Sequence, residues 1–242
     1  MTNLPRPFLQ IVAVFIIALG IPAIGSEGNT GKHLFILSGQ SNMTGAVRDA
    51  FASHVQEHFG EGNAVVVMRM KSGRGIRFWV SDYRQPHGRG LTTKKMNSNG
   101  QEYKPLIEAA LAAKKGHCFE TVGFIWMQGE SDANNRLSEV YGESFLKLIG
   151  QLKRDLGRKD LYYVIGRIND YAKSKPDNEH WRQVRATQVK LGNSPGNAWV
   201  DTDDLNGGDA NQPDGDIHFP KEGAVELGQR LAKTAISLIM TP

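Results

Sequence analysis

The sequence predicts an α/β fold, a three-layer α/β/α sandwich on a mostly parallel, five-stranded sheet. Short, continuous apolar runs at 34–37, 64–68 and 121–127 alternate with longer stretches of helical period. The runs lack the two-residue alternation of a half-solvated strand, so helices must cover both faces of the sheet. Each run is followed by a stretch long enough for the crossover helix that parallel strands require. The 242 residues, 40% of them hydrophobic, suit one domain of ordinary size.

The chain opens on a basic residue, Arg6, then an apolar core over 8–24, then Ala23-Ile24-Gly25 before Ser26. That order predicts a secretory signal peptide over 1–25, with the domain spanning 26–242 and no stable membrane insertion once the leader is removed. The single cysteine, Cys118, excludes an internal disulfide. A formal net charge of +4, one unit of which is Arg6, gives no basic face of the kind that binds nucleic acid.

The first strand, 34–37, stops at Ser38-Gly39. Val47, Phe51, Val55 and Phe59 then recur every four residues and predict a helix over 46–59, ended by Gly60. A β-prone strand over 64–68 runs into the loop Lys71-Ser72-Gly73-Arg74-Gly75-Ile76, at the same sheet edge as Ser41. Residues 78–99 have aromatics, prolines and glycines without a period and predict an irregular excursion over that edge. A helix over 105–115 and a strand over 121–127 follow. One long amphipathic helix is expected over 135–156, a strand over 161–168, a helix over 177–191 and a short strand over 198–200. Six aspartates from Asp201 to Asp216 fit no EF-hand spacing and predict solvated turns before a last helix over 222–239.

Ser41 follows the first strand, where ligands of open α/β sheets bind. From position alone it is either a nucleophile or a cap of the next helix. A base for it stands in Asp214-Gly215-Asp216-Ile217-His218-Phe219-Pro220, where His218 follows two acids. A competing pattern, His54-Val55-Gln56-Glu57-His58, spells the H-x-x-E-H of an inverted zinc hydrolase and would use His54, Glu57 and His58. A further reading is a secreted carbohydrate-binding protein that stacks sugars on Trp79, Trp126, Trp181 or Trp199, although Trp126 and Trp199 fall in predicted strands and read as core.

Three blocks carry a resemblance. Gly39-Gln40-Ser41-Asn42-Met43, Trp126-Met127-Gln128-Gly129-Glu130-Ser131-Asp132-Ala133 and Asp216-Ile217-His218-Phe219 stand in that order and bracket most of the chain beyond the leader. With them the chain resembles the SGNH hydrolases, specifically the sialate O-acetylesterase branch that includes carbohydrate esterase family six. The resemblance implies a flavodoxin-like sandwich and a serine esterase that removes O-acetyl groups from sialic acid, xylan or another glycan, which the N-terminal leader would make secreted or periplasmic. It implies Ser41 as nucleophile, His218 as base and no cofactor or metal. The oxyanion would be held by the Ser41 N–H, a Gly73 N–H and the Gln128 side chain. The family's glycine pair is split here by Arg74, so Gly75 is the alternative donor. The acid usual three residues before the histidine is replaced by Gly215, leaving Asp216, or Asp214, as third member. Gln40, Asn42, Arg74 and Glu130 are candidate substrate contacts, Glu130 alternatively tying down its loop.

Overall fold

The structure, a computed structural model, describes residues 31–88, 98–171, 178–207 and 216–241. The leader predicted over 1–25, residues 89–97 of the irregular stretch and Asp214 lie outside the described residues.

Five strands, β1 (His33–Gly39), β2 (Ala64–Met70), β3 (Thr121–Met127), β4 (Tyr162–Gly166) and β5 (Ala198–Val200), form an all-parallel sheet in the order β2-β1-β3-β4-β5. β1 is buried along its whole length, as its uninterrupted apolar run requires. Gly39 stands level with Met70 on one side and with Met127 on the other, so three chains leave the sheet side by side at one edge. The connection from β1 leads outward to β2 while that from β3 leads the other way, to β4. A crevice therefore opens between the ends of β1 and β3.

The helices are α1 (Gly45–Phe59), α2 (Tyr103–Lys114), α3 (Glu130–Asn134), α4 (Tyr141–Leu156), α5 (Glu179–Gly192) and α6 (Lys221–Met240). α1 and α6 pack together on one face of the sheet, and α2, α4 and α5 cover the other. All four residues of the predicted α1 stripe are buried. In α2, Pro105 sits in the first turn, where its missing N–H leaves no helical bond unmade. No helix among the described residues is long and apolar enough to cross a membrane.

The helix expected over 135–156 is broken. Arg136 has φ of 56°, the Leu137 N–H turns back to Asp132 O at 2.8 Å, and a 3₁₀ turn over Ser138–Val140 precedes α4. Glu130 and Asp132 are held inside the molecule, so the chain makes one short helix over them before α4 begins. The apolar stripe persists from Tyr141 through Leu152.

Trp126 is core, as its place in a predicted strand implied, and two other expectations are corrected, sugar stacking at Trp79 and Trp181 and purely solvated aspartate turns. Trp79, Trp126 and Trp181 are completely buried, Trp126 edge-on to Trp79 at 5.2 Å, and Trp199 lies half-buried beneath Arg167. No open platform for a sugar ring remains at the first three. Asp201, Asp203 and Asp204 are not merely solvated turns, because they pair with Arg167, Arg185 and Arg230.

Candidate active site

The end of β1 is shaped by one glycine. Gly39 has φ of 146°, and a Cβ there would lie 1.9 Å from Met127 O. Only glycine permits this approach, which lets the Gln40 N–H donate to Met127 O at 2.9 Å. The chain then turns, with the Met43 N–H bonding Gln40 O at 2.9 Å, and Ser41 occupies the bend. The cap of α1 is Thr44, whose Oγ1 accepts from the Val47 N–H at 3.3 Å. The capping role open to Ser41 in the sequence is thus filled three residues later.

Ser41 Oγ lies 3.0 Å from Nε2 of His218, which reaches over from the segment before α6. The sequence pair is therefore brought together across the sheet edge. Asp216 takes a different place from the one expected of a third member. Its carboxylate accepts from the main-chain N–H of His218 at 3.2 Å, and among the described residues it makes no hydrogen bond to the imidazole. It shapes the turn and leaves the ring alone.

Three candidate substrate contacts face inward. Gln40 is buried, its Oε1 accepting from the Ser131 N–H and from Gln128 Nε2, each at 3.2 Å. Asn42 is buried and donates to Glu130 Oε1 at 2.7 Å. Glu130, also buried, has its pKa pushed up to about 7 by desolvation. All three side chains bond within the framework, and Glu130 ties its loop to Asn42. Arg74 stays about one-third exposed, its guanidinium 4.4 Å from the centre of the Phe78 ring and 3.9 Å from Glu102.

Gln128 has no exposed surface, and its Nε2 lies 2.5 Å from Asp132 Oδ2 and 3.2 Å from both Gln40 Oε1 and Arg74 O. An amide nitrogen carries two hydrogens, so this group is fully engaged. In this conformation it braces the 71–76 loop and presents no N–H to the crevice. Asp132, a member of the second block with no role assigned from sequence, accepts the Ile76 N–H at 2.8 Å, and burial raises its pKa to about 6. Within that loop Gly73 is exposed with φ of 68°, whereas Gly75 is buried, the site of its Cβ 3.2 Å from Asp132. Of the two glycines, Gly73 is the one with an open surface.

The zinc pattern falls elsewhere. His54, Glu57 and His58 lie in the second half of α1, which runs back from the Ser41 edge toward the start of β2. The His58 ring packs on Phe59, which in turn stacks on His33 at the first residue of β1. Among the described residues no group of three or more His, Cys, Asp or Glu is placed to hold a metal. The sequence also gave no role to Asn169, buried just beyond β4 and bonded to the His218 segment. Its position at a strand end was the available signal.

Comparison with solved structures shows the same fold at low identity. A protein from Arabidopsis thaliana superposes with a TM-score of 0.61 at 19% identity, covering 86% of this chain and 98% of that one. A carbohydrate acetylesterase from Xanthomonas citri gives 0.61 at 19% identity over 86% of this chain and 56% of its own. Est24, a carbohydrate acetylesterase from Sinorhizobium meliloti, gives 0.54 at 15% identity over 86% of this chain and 99% of its own. No curated protein matches the sequence. The family model described as carbohydrate esterase, sialic acid-specific acetylesterase matches residues 47–237, beginning just after Ser41. That match spans most of the chain, which therefore belongs to the sialic acid-specific acetylesterase family of carbohydrate esterases.

Proposed function

We propose that the protein is an exported serine esterase that removes O-acetyl groups from a carbohydrate through an acyl-enzyme. The observation that carries this reading is the 3.0 Å contact between Ser41 Oγ and His218 Nε2 at the switch point of the sheet. His218 takes the hydroxyl proton as Ser41 attacks the acetyl carbonyl, then returns it to the departing sugar oxygen. Water repeats the sequence on the acetyl-serine and releases acetate. The N–H groups of Ser41 and Gly73 are the proposed oxyanion donors, each worth ~10²–10³ in turnover in comparable sites. No cofactor enters these steps. Family membership supports an acetylated glycan as substrate, with sialic acid first among the candidates and xylan or another glycan behind it. The apolar leader at 8–24 supports export.

Acetate release measured over a panel of acetylated glycans and free acetylated sialic acid tests the reading. Ser41→Ala is expected to lower turnover at least ~10³-fold on every substrate the wild type accepts. Hydrolysis that survives the substitution overturns the serine mechanism.

A further inference from the structure

His218 is exposed on an irregular segment, yet the proposed chemistry needs its Nε2 held on Ser41 Oγ. Asp216, one of the two carboxylates expected to orient the ring, is occupied with the main chain instead. What holds the segment is a pair of buried asparagines. Asn42, next to the serine, donates to Ile217 O at 2.9 Å and accepts the Phe219 N–H at 3.2 Å, so it grips the main chain on both sides of His218. Asn169, from the end of β4, donates to Asp216 O at 3.0 Å and to Ile217 O at 3.2 Å. The Ile217 carbonyl, immediately before the histidine, therefore accepts from both amides.

Each asparagine is itself immobilised. Glu130, the first residue of α3, accepts from Asn42, while Asn169 accepts the Tyr171 N–H through Oδ1 at 3.2 Å and the Trp181 indole N–H through its main-chain oxygen at 2.7 Å. Two strand ends thus grip residues 216–219 directly, and the chain beyond β3 backs one of them through Glu130. Both donating side chains are buried, so solvent does not compete for their amide hydrogens even though the segment they hold is partly exposed.

We infer that Asn169 is a positioning residue for the esterase reaction: with Asn42 it clamps the main chain around His218 and so sets where the imidazole stands over Ser41. This rests on Ser41 and His218 being nucleophile and base. The clamp acts on the backbone and leaves substrate binding alone.

Asn169→Asp tests it, since the replacement keeps the size and the acceptor for Tyr171 but removes both donated hydrogens. Turnover of p-nitrophenyl acetate is expected to fall ~10–100-fold with KM changed less than about twofold, the signature of a misplaced catalytic group. The rate at which a fluorophosphonate labels Ser41 is expected to fall in parallel. Thermal unfolding checks that the variant is folded, and Asn169→Ser, a smaller donor, is expected to recover part of the rate. Nuclear magnetic resonance of His218 gives a readout without turnover: the Nε2 shift is expected to lose its hydrogen-bonded value in Asn169→Asp. An unchanged His218 signal and labelling rate in a folded Asn169→Asp protein overturn the clamp. Turnover that survives Ser41→Ala overturns instead the reading on which the clamp rests, so the two failures are distinct.

Discussion

Glu130 and Asp132 are both fully buried acids, and burial raises their pKa values to about 7 and about 6 from 4.5 and 3.8. The native state thus holds protons that the unfolded chain releases. The stability tied to Glu130 is full below pH 4.5 and is lost as pH rises through about 7; Asp132 behaves likewise from 3.8 to about 6. His33 opposes them, because burial lowers its pKa and its contribution is present above 6.5 and lost on acidification. Glu130→Gln retains an acceptor for Asn42 and removes the titration. Denaturant unfolding at pH 5 and pH 8 is expected to show a smaller loss of stability in this variant than in wild type, by on the order of 2–3 kcal/mol. An equal loss in both proteins would mean that Glu130 does not titrate in this range. At this scale the sequence revealed which residues gather at the site better than which way they face. Ser41 and His218 sit in short, ordered motifs. Gln40 and Asn42 looked available to substrate and Glu130 was open to either role, since a polar residue after a strand reads the same whether it points to substrate or under the loop. Asn169 sits in no motif at all, and only the folded chain brings it to residues 216–219.

At the scale of elements, the turn from β1 into α1 separates two jobs that one serine could have combined. Ser41 contacts His218, and Thr44 caps the helix. Removing a threonine cap typically costs about 1 kcal/mol. Thr44→Ala is therefore expected to lower unfolding stability by about that amount with turnover per folded molecule preserved, while Ser41→Ala leaves stability nearly unchanged and abolishes turnover. Equal destabilisation by both substitutions in chemical denaturation would put Ser41 in the cap. Helix and strand periods were readable because each buried face repeats along its own element, as the four-residue stripe of α1 does. The break between α3 and α4 was hidden for the opposite reason. It depends on Glu130 and Asp132 being drawn inward by Asn42, Gln128 and the Ile76 N–H, partners distant in sequence except for Gln128.

Across the whole molecule, strand order decides which residues can meet. β1 and β3 end side by side at the switch point, and the chain beyond β5 must cross the strand ends to reach α6, which packs on α1. That return path carries His218 to Ser41, and alternating strands and helices were enough to foresee the parallel sheet on which it depends. The same topology sends α1 away from the site. At 1.5 Å per residue, His54 and His58 lie about 14–20 Å along the helix axis from Gly45, toward the edge where His33 begins β1. A metal held there could not polarise a carbonyl at Ser41, because Lewis-acid catalysis requires the ion to contact the reacting oxygen. Dialysis against EDTA is expected to leave ester hydrolysis within about twofold of the untreated protein, as are His54→Ala and His58→Ala. A chelator-sensitive activity restored by zinc and lost in both histidine variants would move the chemistry to that edge and leave the Ser41–His218 pair without its proposed role.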